Sequence, residues 1–157
     1  MRGIIDGLLH MHRHSVAHRD IHEGIVMLDE EGQPIIIDFG EASHITKVGK
    51  VKKCVQLALY TLIGRKPDKS FDLKDRERYA DRDDVLGLAN LIYFMMTQTV
   101  QASGLTNEAL NDAANSNLIS EQLRDMLSGM IHTLAHQRQS LKQVLNHRWF
   151  STLTGTP

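Results

Sequence analysis

The stretch from residue 18 to residue 40 limits the folds open to this chain more than any other. His18-Arg19-Asp20 is followed by a short apolar run, Ile25-Val26-Met27-Leu28. A polar turn, Asp29-Glu30-Glu31-Gly32-Gln33, leads into a second run, Ile35-Ile36-Ile37, which ends at Asp38-Phe39-Gly40. Two such runs, rich in β-branched residues and joined by a Gly-bearing turn, predict a β-hairpin. A hairpin of this length returns the chain close to where it left. It therefore brings Asp20 and Asp38 toward one site.

In their order and spacing the two triplets resemble the catalytic loop and metal-binding loop of eukaryotic protein kinases, H-R-D-L-x-x-x-N and D-F-G. Here the first motif reads His18-Arg19-Asp20-Ile21-His22-Glu23-Gly24-Ile25. The resemblance implies an α+β fold, mainly α-helical. It would be the large C-terminal lobe of a kinase, with a small β-hairpin carrying the catalytic motifs. It covers residues 1–150 as one domain and leaves 151–157 as a tail.

What the resemblance implies for the site is uneven. Asp20 falls where the family places the acceptor of the substrate hydroxyl's proton. Arg19 falls where a cation meets an activation-segment phosphate. His22 stands where the serine/threonine class has a lysine that stabilises the transferred phosphoryl, and a mostly neutral imidazole does this less well. Asp38 matches the main Mg²⁺ ligand, and Met27 and Ile37 would border the adenine of ATP, although both also read as plain core residues. Ile25 stands where the family has a metal-holding asparagine, and isoleucine offers no oxygen. Glu23 is near enough to supply a substitute. The family's Gly-rich phosphate loop, strand lysine and helix glutamate are expected to be missing, because no G-x-G occurs. The implied activity is ATP-dependent phosphoryl transfer to protein Ser/Thr hydroxyls, impaired or absent here. The alternative is a pseudokinase-like binding module or a truncated fragment, acting on a protein partner.

Bulk properties fit that picture. A length of 157 residues suffices for one domain with a real core. The formal net charge of -1 gives no field that would draw nucleic acid or an anionic membrane. No apolar run is long enough to span a bilayer. The single cysteine, Cys54, rules out an internal disulfide. With no secretory pattern at the N-terminus, these features point to an intracellular, cytoplasmic protein.

Helical periodicity fills most of the remainder. Ile4, Leu8 and Met11, widened by Ile5 and Leu9, predict a helix over residues 1–14. His10, His14, His18 and His22 recur every four residues, a spacing open to a metal site or to a polar helix end with several exposed imidazoles. The latter is favoured, because His18 and His22 belong to a loop and no Cys or carboxylate completes a tetrahedral set.

Asp84 to Thr97 is apolar on nearly every face, which predicts a central buried helix with Leu88, Ile92, Tyr93 and Met96 inside. It resembles the family's D-V-W-S-L-G-V-x-L-Y run, whose aspartate braces the catalytic-loop backbone. A rival register makes 55–64 the central helix but lacks that aspartate. Before it, Tyr60-Thr61-Leu62-Ile63-Gly64 and Ser70-Phe71-Asp72 stand at the spacing of T-L-x-G and A-P-E. Lys47, Lys50, Lys52 and Lys53 form a solvated face or a patch for phosphate or an acidic partner.

Thr106 caps a short helix through about Ala113. Leu123, Met126, Leu127, Met130, Ile131 and Leu134 predict an amphipathic helix. Ser140 and Gln143 have the spacing of a capping box. Arg138 resembles the family arginine that pairs with the A-P-E glutamate, or else is a surface residue. Trp149 and Phe150 close the core.

Overall fold

A computed structural model describes residues 1–45, 79–102 and 104–153. The Lys47–Lys53 run, Cys54, the 55–64 run and the Tyr60–Asp72 stretch lie outside the described residues. Within them the fold is mainly helical, with two small antiparallel sheets.

Helix α1 (Arg2–Arg13) turns Ile4, Ile5, Leu8 and Leu9 into the core. Strand β1 (Val16–Ala17) follows it, and the hairpin strands are β2 (Val26–Leu28) and β3 (Pro34–Ile36). Their register pairs Val26 with Ile36, Met27 with Ile35 and Leu28 with Pro34. The turn is held by Asp29, whose Oδ1 accepts from Glu31 N–H at 2.9 Å and Gln33 N–H at 2.7 Å. Gly32 sits at φ +76°, a left-handed conformation that glycine enters without a Cβ clash. Strand β4 (Ser43–His44) comes after Asp38-Phe39-Gly40 and pairs with β1, a second sheet that the sequence did not suggest.

Helix α2 (Ala80–Thr97) is the centre of the molecule. It starts a turn earlier than expected, with Tyr79 at its N-cap position and Asp81 and Asp83 in its first turn. Acidic side chains there offset the positive end of the helix dipole. Leu88 and Ile92 are fully buried and Tyr93 nearly so. Met96 is a correction: it is 47% exposed, as is Met95, because the last turn runs out past the packed layer.

Helices α3 (Asn107–Asn115), α4 (Glu121–Met130), α5 (Leu141–Leu145) and α6 (Arg148–Leu153) complete the body. Thr106 caps α3 through Ala109 N–H at 3.2 Å. Ser140 and Gln143 form the reciprocal capping box of α5. Helix α4 packs on α2, α3 and α6, and α1 packs on α5 and β3. Helix α4 stops at Met130, so Leu134 is half exposed rather than on its apolar stripe. Helix α6 runs through residue 153, past the expected start of the tail at Ser151.

Candidate active site

The site is built where the loop between β1 and β2 lies against α2. Asp84 is fully buried in α2. Its carboxylate accepts from His18 N–H at 2.9 Å and from Arg19 N–H at 2.6 Å. Two successive amides can aim at one carboxylate because Arg19 adopts φ +71°. That left-handed conformation is strained for a residue with a Cβ, so the carboxylate's hold is part of what keeps it there. The expected brace of the loop by Asp84 is therefore present. The loop also needs Gly87 in α2, since a Cβ there would stand 2.9 Å from the Ile21 carbonyl oxygen and 2.8 Å from Ile21 Cβ.

A third donor reaches the same carboxylate. His12 Nε2 lies 2.7 Å from Asp84 Oδ2. A carboxylate oxygen only accepts, so Nε2 carries the hydrogen. His12 is thus a correction to the reading of the α1 end as exposed imidazoles, although His10 and His14 are exposed. Its partner is 72 residues away, and nothing in the local pattern marks it.

The His18 ring ties the two motifs together. It is fully buried, its Nε2–H donates to the Ile37 carbonyl at 3.0 Å, and it packs on Phe39 with ring centroids 5.3 Å apart. Ile37 N–H in turn donates to the Ile25 carbonyl at 2.9 Å. Asp38 follows at φ +62°, a conformation aspartate tolerates, and its Oδ1 accepts from Gly40 N–H at 3.2 Å. The hairpin thus delivers Asp38 beside the loop that carries Asp20.

Asp20, His22, Glu23 and Asp38 are all exposed. Gly24 N–H donates to His22 Nδ1 at 3.1 Å, so a neutral His22 carries its hydrogen on Nε2. That atom stands 3.7 Å from Asp20 Oδ2. With both groups about half exposed, the attraction is weak. The guanidinium of Arg19 donates to the Ser43 hydroxyl at 3.3 Å.

Ile25 is 1% exposed and belongs to the hydrophobic core. The position therefore lacks a side-chain oxygen, and its side chain is packed in the core. Met27 is 55% exposed and Ile35, its cross-strand partner, 46% exposed. The reading of Met27 as a plain core residue is corrected by that exposure. Ile37, one residue past the end of β3, is half-buried. This apolar face suits a flat ring. The donor set suits Mg²⁺ poorly, because Asp38 stands without the second family ligand. Among the described residues no three His, Cys, Asp or Glu side chains gather where they could hold a metal ion.

Arg138 is not a surface arginine. Its Nη1 donates to Asp83 at 3.2 Å and to the Arg82 carbonyl at 3.1 Å, and its Nε to the His132 carbonyl at 2.8 Å. Asp72, its expected counterpart, lies outside the described residues. Among the described residues no helix is long and apolar enough to cross a membrane.

A lobe of this shape, with a paired-motif hairpin braced from a central helix, defines a protein kinase large lobe. A family model for the protein kinase domain matches residues 1–150, and the chain belongs to that family. It is similar to serine/threonine-protein kinase PLK4 of Drosophila grimshawi, 25% identical over 94% of this chain and 19% of that protein. It is also similar to ribosomal protein S6 kinase alpha-1 of Mus musculus, 30% identical over 90% of this chain and 21% of that protein. A third relative is serine/threonine-protein kinase cds1 of Schizosaccharomyces pombe, 25% identical over 98% of this chain and 35% of that protein. The chain spans about a fifth of the length of the first two relatives.

Proposed function

We propose that this chain is a protein kinase domain of the serine/threonine type in which phosphoryl transfer is impaired, and that it acts mainly by binding a protein partner. The observation that carries this reading is Ile25, buried in the core where the family holds a metal-binding asparagine. An ion bound beside ATP phosphates would have Asp38 as its family-matched protein ligand. Bound ATP would supply the phosphoryl group, with Met27 and Ile37 beside its adenine. Asp20, exposed and next to the braced amides of His18 and Arg19, would accept a hydroxyl proton from a protein substrate.

Calorimetric titration with ATP, with and without Mg²⁺, tests the reading. The expected dissociation constant is about 1 mM or weaker, near 4 kcal/mol of binding free energy. Asp38→Asn should remove any Mg²⁺ dependence and leave the fold intact. Micromolar affinity abolished by Asp38→Asn, together with ATP-dependent phosphorylation of a Ser/Thr peptide, would restore the fully active kinase.

A further inference from the structure

We infer that His10 and His14, at the end of α1, form a two-imidazole site for a divalent transition-metal ion of the Zn²⁺ or Ni²⁺ kind. The run of histidines four apart does not close into one site as a whole. His18 is fully buried with its Nε2–H on the Ile37 carbonyl, and His22 lies beyond it in the loop. The first two members are different. Residues four apart on a helix stand one above the other. The rings of His10 and His14 lie with centroids 4.5 Å apart and planes inclined at 43°. Two imidazoles bound side by side to one ion, with metal–nitrogen distances of about 2.0–2.1 Å, have centroids about 4.5–5 Å apart. The rings therefore already stand at a chelating separation.

The ring nitrogens are prepared as well. His14 Nδ1 lies 2.9 Å from the His10 carbonyl oxygen. A carbonyl oxygen only accepts, so Nδ1 carries the hydrogen and Nε2 keeps its lone pair. A ligating histidine has this arrangement, with its other ring N–H held by an oxygen. The His10 ring has no hydrogen bond among the described residues, so its broad χ2 torsion is free to turn Nε2 toward the same ion. Both side chains are exposed, and water completes the coordination. The carbonyl end of α1 carries partial negative charge, which favours a cation there. Arg13 opposes this only weakly, because it is exposed and adjacent helix positions do not face each other. Imidazole nitrogen selects Zn²⁺ or Ni²⁺ over Mg²⁺, which takes oxygen ligands. The site thus differs in chemistry from any ion held by Asp38, and it does not rest on the function proposed above.

The test titrates Zn²⁺ into the full chain by calorimetry and follows the histidine ring protons by NMR. Cys54→Ser is the common background and removes the single thiol. His10→Gln, His14→Gln and the double variant are compared with that parent. One strong site per chain is expected, with the His10 and His14 ring signals moving together up to one equivalent. The second imidazole binds intramolecularly, so losing either one should weaken the site about tenfold or more. Each single variant should then fall to the level of the double variant, and excess Mg²⁺ should not compete. Two sites lost one at a time at unchanged affinity would overturn the inference, since the histidines would then act independently. So would affinity that survives in the double variant, or earlier shifts at other histidine rings. Should a variant fail to fold, the ring signals of the parent chain decide the matter by themselves.

Discussion

Replacing Asp84 by alanine should be among the most damaging single changes in this protein. The substitution removes the acceptor of three hydrogen bonds, at 2.9, 2.6 and 2.7 Å. Bonds to a charged group contribute about 1.5–3 kcal/mol each, and a buried donor left unmet costs about 1–3 kcal/mol. Two effects work the other way. The carboxylate no longer has to be desolvated, which returns several kcal/mol by the usual reckoning. His12 can also turn its ring toward water, being partly exposed. The two loop amides have no such exit while the turn at Arg19 persists. The net loss should be about 3–5 kcal/mol, as for other buried partners removed singly. Asp84→Asn keeps one oxygen for the two amides and should lose less, about 1–3 kcal/mol. Urea unfolding measures both, followed by fluorescence of the single tryptophan, Trp149, which is 7% exposed in the core. A loss below about 1 kcal/mol for Asp84→Ala would refute the argument. It would mean that the amides find another acceptor and that α2 does not brace the loop.

Three further outcomes are expected. Gly87→Ala should cost about 1–3 kcal/mol by overpacking against Ile21, partly offset by about 1 kcal/mol of better helix propensity, and should shift the Ile21 and His22 resonances in an NMR spectrum. Ile25→Asn should destabilise by about 2–5 kcal/mol, since it removes core volume and buries an amide, and calorimetry should show no gained Mg²⁺ dependence of ATP binding. Asp125 is held below its ordinary pKa of 3.8, first by the hydrogen bond from Arg124 and then by that from Arg148. A lowered folded-state value means stability that is present above the unfolded value and lost as pH falls through the folded one. Asp125→Asn should therefore flatten the acid limb of stability below about pH 4 and change little near neutrality, as urea midpoints across that range would show.

How much of this was legible in the sequence depends on the range over which each feature is decided. The turn of the hairpin, the α3 cap and the α5 capping box are settled by close neighbours in the chain, and the pattern shows them. Asp84 was legible because the resemblance gave it a role and burial of a carboxylate demands donors. His12 was not, because its partner comes from another helix and its spacing matches that of unpaired histidines beside it. The end of α4 was missed for a related reason. Helical periodicity continues through Leu134, but Arg138 takes the His132 carbonyl and Gln139 N–H takes that of Gly129 at 2.9 Å. Those returning bonds stop the helix one residue after Gly129. Hydrophobicity places Met96 in the core and offers the core as one reading of Met27, beside the adenine-bordering role that the resemblance implies. Each sits at a margin, on the open face of a two-stranded sheet and on the last turn of α2, where nothing among the described residues covers it enough to bury it.

Ile25 shows what the structure adds to a motif. Spacing alone says that an oxygen is absent from the asparagine position, and a nearby Glu23 could then stand in for it. The structure shows that the Ile25 side chain is packed into the core while its carbonyl takes the Ile37 amide. The backbone at 25 thus still joins the two motifs, just before Asp38, although the side chain has changed purpose. Side-chain chemistry and backbone scaffold are thus separable at one residue: the Ile25 side chain packs in the core while its carbonyl holds the strand that leads to Asp38.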